Sequence, residues 1–327
     1  MASRILVSAL LLPVLVACGG AGADANPPPV APVVAQPMAI PPPPAASTPA
    51  VTSAAPAAPA VSAEPAVPEV PPMTTSGATL TWFGHAAFKL VTPSGKVVWF
   101  DPWITNPKNP TGKADLAKID KGDLILISHG HFDHVGDASA IAKKTHAKLV
   151  TTFDLGRGIV AYEGYPKDLA GFDSQGNFGG DVTFFDGEVT VSFVPAIHSS
   201  TVSTGDAKND AFTDLRPGGA PGGFVVTVKN GPVIYHTGDT DVFSDMALIS
   251  KFHKVNVMLA CIGDHFTMGP ERAAEAVRMV APGIVVPMHF GTFPVLSGTA
   301  EAFDAAVKKK GLRSQVRPMQ VHEEMKL

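Results

Sequence analysis

Ser128-His129-Gly130-His131-Phe132-Asp133-His134-Val135 places three imidazoles and a carboxylate within six residues. The run follows Asp123-Leu-Ile-Leu-Ile-Ser128, an apolar stretch that reads as a strand. A strand ending in this way aims several metal-ligand atoms at one small volume. Histidine is scarce, at 11 of 327 residues, and unmetallated clustered imidazoles would repel one another when protonated. Imidazole nitrogen and carboxylate oxygen are zinc ligands that also suit manganese or iron. Adjacent side chains diverge, so four such groups do not easily reach one ion. The spacing predicts two metals, one held by His129 and His131, the other by Asp133 and His134.

Two metals need further ligands, and the chain offers them beyond later strands. His198 follows Val189-Thr-Val-Ser-Phe-Val194, and Asp239 follows the apolar run Pro232-Val-Ile234 within Tyr235-His-Thr-Gly-Asp-Thr240. His289 ends Ile284-Val-Val-Pro-Met-His289. Groups just past strand ends are where α/β folds collect function.

This order of cluster, His, Gly-Asp-Thr and terminal His resembles the metallo-β-lactamase superfamily. In detail it is similar to the bacterial metal-dependent hydrolases related to L-ascorbate-6-phosphate lactonase. Trp82-Phe-Gly-His-Ala-Ala87, Phe100-Asp-Pro102, Ile127 to Asp137, His198-Ser-Ser200, His236-Thr-Gly-Asp-Thr240 and Phe243-Ser-Asp-Met246 carry the likeness. So do Ile262-Gly-Asp264, Phe266-Thr-Met-Gly-Pro270 and Val286-Pro-Met-His289, and together the matches span nearly all of residues 78–327. His265 departs from the pattern, where Asn is expected.

The resemblance implies an αββα sandwich. It implies that His129, His131 and His198 hold one metal and that Asp133, His134 and His289 hold the other. Asp239 would bridge the two. A hydroxide between the metals would be the nucleophile, with coordination lowering the pKa of water toward neutrality. The expected activity is hydrolysis of an ester, lactone or phosphodiester bond of a small molecule, with Asp133 and Asp239 central to catalysis. Two other classes stay open: an iron-dependent redox enzyme of the sulfur dioxygenase kind, and a non-catalytic binding lipoprotein.

Around these ligands, His85 is a candidate for supporting a ligand or touching substrate. Asp101, before Pro102, is expected to buttress His129 or nearby backbone, as carboxylates often orient ligating imidazoles. Asp264 and His265 end another strand and are candidates to face the pocket. His236 would join them only if its strand register agrees with Asp239, while His146, His253 and His322 read as surface residues. Residues 199–223, polar and glycine-rich, read as a lid over the metals, since long loops are often functional. Arg216 within it reads as an exposed side chain or an anion contact.

Residues 1–17 read as an exported lipoprotein's signal peptide: Arg4 gives a basic start, and Ile5 to Val16 is too short to span a bilayer. Leu15-Val-Ala-Cys18 resembles a bacterial lipobox, so a lipidated Cys18 would anchor the mature chain outside the cytoplasm. Residues 18–77 hold about half of the chain's 31 prolines, amid Ala, Val and Ser, with no Lys or Arg. Such a segment cannot form a core and is expected to be a disordered tether, reaching at most roughly 180 Å at ~3.1 Å per residue.

The remaining residues, 78–327, suffice for one large domain. With Arg4, Asp24, Glu64 and Glu69 set aside, 24 basic residues face 26 acidic ones. That balance gives no support for nucleic-acid binding. Cys261 is alone in this part of the chain, inside an apolar run, and reads as a buried free thiol.

Overall fold

In a computed structural model, the described residues are 76–203 and 214–327. The expected signal peptide, Cys18, the tether up to residue 75 and the middle of the expected lid lie outside them.

The first half of the domain opens with β1 (Thr79–Trp82), β2 (Phe88–Val91) and β3 (Val97–Phe100), which form an antiparallel meander. Helix α1 (Gly112–Lys118) leads to β4 (Leu124–Leu126), the one-turn α2 (Phe132–Val135) and α3 (Ala138–Thr145). Then come β5 (Lys148–Val150) and α4 (Phe153–Tyr162). Strands β3, β4 and β5 pair in parallel. Because successive strand residues point to opposite faces, β3 and β4 are buried on both sides. Val98, Phe100, Leu124 and Leu126 enter the core between the sheets. Val97, Trp99 and Ile125 pack instead with Ile141 and Ala142 of α3 and Leu155 and Ile159 of α4.

The second half repeats the plan. Strands β6 (Asp181–Phe184) and β7 (Val189–Pro195) are followed by a small ribbon, β8 (Thr201–Ser203) and β9 (Leu215–Pro217). Next come β10 (Gly222–Val228), β11 (Val233–His236), α5 (Met246–Phe252), β12 (Val257–Cys261), α6 (Pro270–Val280) and β13 (Ile284–Met288). The β10–β11 hairpin turns at Asn230, whose φ of 57° is the left-handed conformation that Asn tolerates. Strands β11, β12 and β13 pair in parallel. Helix α6 begins with Pro270 and carries Glu271 in its first turn and Arg278 in its last, the arrangement a helix dipole favours.

The chain ends with α7 (Ala300–Lys309), β14 (Gln315–Val316) and β15 (Glu324–Lys326). Thr299 caps α7 by accepting the Ala302 N–H at 3.1 Å. Strand β15 crosses back to pair with β1 in the first sheet, Thr79 opposite Lys326. The sheets therefore run β15-β1-β2-β3-β4-β5 and β14-β13-β12-β11-β10-β7-β6. Phe88, Phe100, Phe193 and Phe224 lie in the core that the sheets share, and α6 and α7 bury Ala273, Val277, Phe303 and Val307 in the same cluster. Helices outside two packed sheets make the expected mixed α/β sandwich.

One expectation is corrected here. Residues 199–223 are not wholly loop, because β8 and β9 pair and Gly222 and Gly223 already belong to β10. Val202, buried in the cluster under α3 and α4, anchors the ribbon.

Candidate metal centre

The candidate ligands gather at the C-terminal ends of strands from both sheets. His129 and His131 follow β4, and α2 carries Asp133 and His134. His198 follows β7, Asp239 follows β11 and His289 follows β13. The spacing of the first motif depends on Gly130: a Cβ there would stand 2.7 Å from the Thr201 carbonyl oxygen, so only glycine lets β8 pass this close. His289 and His85 both adopt left-handed backbone, at φ 56° and 52°, conformations uncommon outside glycine and concentrated at functional sites. The two are tied together by a hydrogen bond from the His289 N–H to the His85 carbonyl, 3.1 Å.

Among the described residues, three overlapping donor groups have ligand atoms within 4.8 Å of one another. One comprises His129, His131 and His198, another His85, Asp133, His134 and His289, and the third His129, His134 and Asp239. Asp239 Oδ2 lies 3.8 Å from His198 Nε2, 3.3 Å from His134 Nε2 and 2.9 Å from His289 Nε2, so it reaches members of the first two sets. All seven residues expected as ligands thus converge.

A divalent cation fits this donor set. His134 Nε2, Asp239 Oδ1 and both ring nitrogens of His289 are buried without a hydrogen-bond partner. A buried polar atom left unpaired costs ~1–3 kcal/mol, and a cation among these imidazole and carboxylate groups would offset that cost. Nearness without hydrogen-bond direction, as between Asp239 and His289, is the relation that two ligands of one ion adopt.

The cluster is held from behind. Asp101 accepts the Ser128 N–H at 2.7 Å and the Ser128 hydroxyl at 2.6 Å, and its Oδ2 lies 2.7 Å from His134 Nδ1. Asp101 thus holds the nearby backbone at Ser128, as one of the two expectations had it, while the imidazole it supports is His134 and not His129, because α2 turns the His134 ring toward Asp101. His129 is reached only through Ser128, whose Oγ is 3.0 Å from its Nδ1. His85 Nε2 contacts Asp133 Oδ2 at 3.1 Å, and its Nδ1 contacts the Thr292 hydroxyl at 2.9 Å. His236 takes no part in ligation: Nε2 donates to the Ala86 carbonyl, Nδ1 accepts the Gly238 N–H, and Phe100 stacks on the ring.

Electrostatics divides the donors into two kinds. Burial, with His134 close by, holds His129 well below the usual imidazole value. Burial and His198 bring His131 down to about 4, and burial lowers His198 as well. These three imidazoles are neutral, with lone pairs free for a metal. At His289 burial opposes charge, but Asp239 and Asp133 outweigh it and raise the ring to about 9. Asp239 and Asp101 likewise outweigh burial at His134 and raise it. Burial also works against ionisation of Asp133 and Asp239. It is overcome by the nearby His289 ring and the His85 hydrogen bond at Asp133, and by the charges of His134 and His289 at Asp239, so both stay well below the carboxylate range.

Asp264 and His265 are not brought to the cluster. Both are exposed, Asp264 accepts from Ser297 Oγ, and the His265 ring lies edge-on to Phe266. Arg216 pairs with Asp214 at 2.6 Å and stands opposite Val202, on the ribbon face away from the donors. Cys261 is a free thiol, as expected, with burial and then Asp239 pushing it up to about 11, so it is inert. A cavity of about 560 Å³ opens above His131, Asp133, His198, Asp239 and His289. Its walls include Phe132, Phe266 and Phe293, which were not singled out from sequence, although two flank ligands closely along the chain. Thr292 and Ser128 were also missed; only their nearness to His289 and His129 in sequence marks them.

Comparison with known proteins agrees with this geometry. Residues 96–290 match the profile of the β-lactamase superfamily domain. A UPF0173 metal-dependent hydrolase of Thermodesulfovibrio yellowstonii is 49% identical over 257 residues, spanning 78% of this chain and 95% of that protein. Another, from Anaeromyxobacter dehalogenans, is 54% identical over 242 residues, spanning 73% and 84%. Igni18, a metallo hydrolase of Ignicoccus hospitalis, superposes with a TM-score of 0.63 at 33% identity, covering 76% of this chain and 97% of its own. The chain therefore belongs to the β-lactamase superfamily, among the metal-dependent hydrolases of the metallo-β-lactamase fold.

Proposed function

We propose that the protein is a dinuclear metal-dependent hydrolase, acting on an ester, lactone or phosphodiester bond and loaded with two divalent ions, zinc by preference. The observation that carries this reading is the division of the donors into two sets with Asp239 within reach of both. His129, His131 and His198 would hold one ion through neutral imidazoles, and Asp133, His134 and His289 the other. The Asp239 carboxylate would join them, its single negative charge shared between two cations.

The chemistry such ions supply when bound is acidification of a water and polarisation of the scissile carbonyl or phosphoryl oxygen. The chain's own part is to fix the geometry. Asp101 holds the His134 ring, and Asp133 sets the His85 tautomer by accepting its Nε2–H, which leaves Nδ1 to accept from the Thr292 hydroxyl. The flanking aromatics limit water around the reacting bond. The completeness of the donor set speaks against a purely binding role.

The lipobox-like Leu15-Val-Ala-Cys18 and the Pro/Ala-rich stretch after it support an exported enzyme, anchored by lipid at Cys18 and facing the periplasm or cell exterior. Chelation followed by re-addition of zinc, manganese or iron, assayed against ester, lactone and phosphodiester substrates, tests the activity. Turnover that vanishes on chelation and returns with metal is expected. Turnover insensitive to chelation overturns the reading.

A further inference from the structure

We infer that the substrate is a neutral carboxylic ester or lactone carrying an apolar acyl or alkyl group, and not a phosphorylated or otherwise anionic molecule. This rests on the hydrolase reading above and narrows it. Above the donors the described lining is mostly apolar, with Ser199, Thr201 and Ser203 its only polar residues outside the candidate ligands. The apolar sides are Phe132, Leu215, Phe266, Phe293, Pro294 and Val295.

Phe132 and Phe293 are fixed by Trp103, at ring separations of 5.6 and 5.9 Å, so one wall is rigid and aromatic. The rim differs. Leu215, Phe266 and Val295 are 43%, 56% and 49% exposed, and large apolar side chains are seldom left in water around one opening without a ligand or partner to cover them. The volume, about 560 Å³, is that of a site for a small organic ligand.

Charge points the same way. Among the described lining residues there is no Lys or Arg, so positive charge in the cavity would be confined to the metal ions at its floor. Strand alternation puts Leu215 on the cavity side and Arg216 on the other, where Asp214 already pairs with it. A phosphate or carboxylate remote from the reacting bond would enter this space with no described cation to meet it, at a desolvation cost. A neutral ester leaves no such debt. Its hydrolysis forms a bond from the water oxygen to the acyl carbon and breaks the acyl carbon–alkoxy oxygen bond. The alkoxy oxygen takes up a proton, and the acid product releases its own to solvent.

The test uses the full zinc-loaded chain. Rates are measured on p-nitrophenyl esters from acetyl to decanoyl. Binding of unreactive neutral amides, butanamide to decanamide, is measured by calorimetry, and turnover of mono-p-nitrophenyl suberate, with a carboxylate at its far end, is compared with that of p-nitrophenyl octanoate. The expected result is that kcat/KM and amide affinity both climb about fourfold per methylene until the cavity is filled. Mono-p-nitrophenyl suberate, whose carboxylate lies remote from the scissile bond, should have a lower kcat/KM than p-nitrophenyl octanoate. Phe266→Ser should cut the octanoyl-to-acetyl rate ratio about tenfold with metal content unchanged, and Val295→Ser should act in the same direction.

Ester turnover that is flat with chain length, or a kcat/KM for the suberate at or above that of the octanoyl ester, overturns this inference and leaves the hydrolase reading standing. Amide affinity that climbs with chain length, without hydrolysis of any ester, lactone or phosphodiester, upholds the apolar site and removes the hydrolase reading.

Discussion

The Asp101 carboxylate lies 2.7 Å from His134 Nδ1, and the same carboxylate takes both hydrogen bonds that Ser128 can donate. One buried acid thus fixes the start of the histidine motif and its last ligand together. Asp101→Ala should strand the Ser128 donors and let the His134 ring turn. The expected loss is ~1–3 kcal/mol of stability for each unpaired buried donor, with metal affinity down 10–100-fold. Asp101→Asn should recover part of both. Denaturant unfolding and competition with a chromophoric chelator measure the two effects. A variant that keeps parental metal affinity would remove Asp101 from its positioning role.

His85 offers a second check, since it bridges Thr292 and Asp133. The replacement is Asn, because the backbone there sits at φ 52° and Asn tolerates that conformation. His85→Asn should weaken the ion held by Asp133, His134 and His289 by about tenfold or more, leaving the His129, His131 and His198 site near parental. Stepwise metal titration separates the two. Equal weakening at both sites would contradict this assignment.

Protonation gives a prediction with a sign. His289 is raised to about 9 from an ordinary 6.5, so in chelator-stripped protein it contributes stability that is full below pH 6.5 and is lost as pH rises through about 9. His85 and His131 are lowered to about 4, so the unfolded chain binds more protons than the folded one between pH 4 and 6.5. Stability is then lost as pH falls through that window. The stripped protein's melting temperature should peak near pH 6.5 and fall on either side. Zinc-loaded protein should instead gain from pH 6.5 to 9, because ligation requires deprotonated imidazoles. Melting curves of both forms across pH 4–9.5 decide it, and a stripped protein that keeps gaining stability above pH 6.5 counts against the His289 ion pairs.

At the other end of the chain, Cys18→Ser should shift the protein from the membrane fraction to the soluble one. Two acyl chains anchor stably, whereas one is marginal. Equal distribution of parent and variant in the soluble fraction would rule the anchor out.

How much of this was legible in the sequence follows from what each residue needs. The candidate ligands are rare residue types just past apolar runs, so all seven could be named before their convergence was seen. Strands β10 and β11 and helix α6 announced themselves through Asn230 and Pro270. Strand β15 did not, because Glu324-Met-Lys326 earns its place only by pairing with β1, almost 250 residues earlier in the chain. The β8–β9 ribbon was hidden for the same reason: three-residue strands carry too little pattern. Asp101 was legible as a supporting acid but not its target, since the turn of α2 decides which imidazole faces it. The aromatic walls of the cavity look like core residues until the fold shows which faces stay open.

The central claim is that two ions share Asp239. The direct measurement is the number of zinc ions bound by the full chain and by Asp239→Ala, counted by elemental analysis after equilibrium dialysis, with hydrolysis and circular dichroism recorded on the same samples. Two ions per parent chain are expected. The variant should keep at most one firmly bound ion, losing first the one held by Asp133, His134 and His289, with an unchanged fold and turnover lower by orders of magnitude. An Asp239→Ala protein that retains two ions and near-parental turnover would contradict the account and require another bridging ligand.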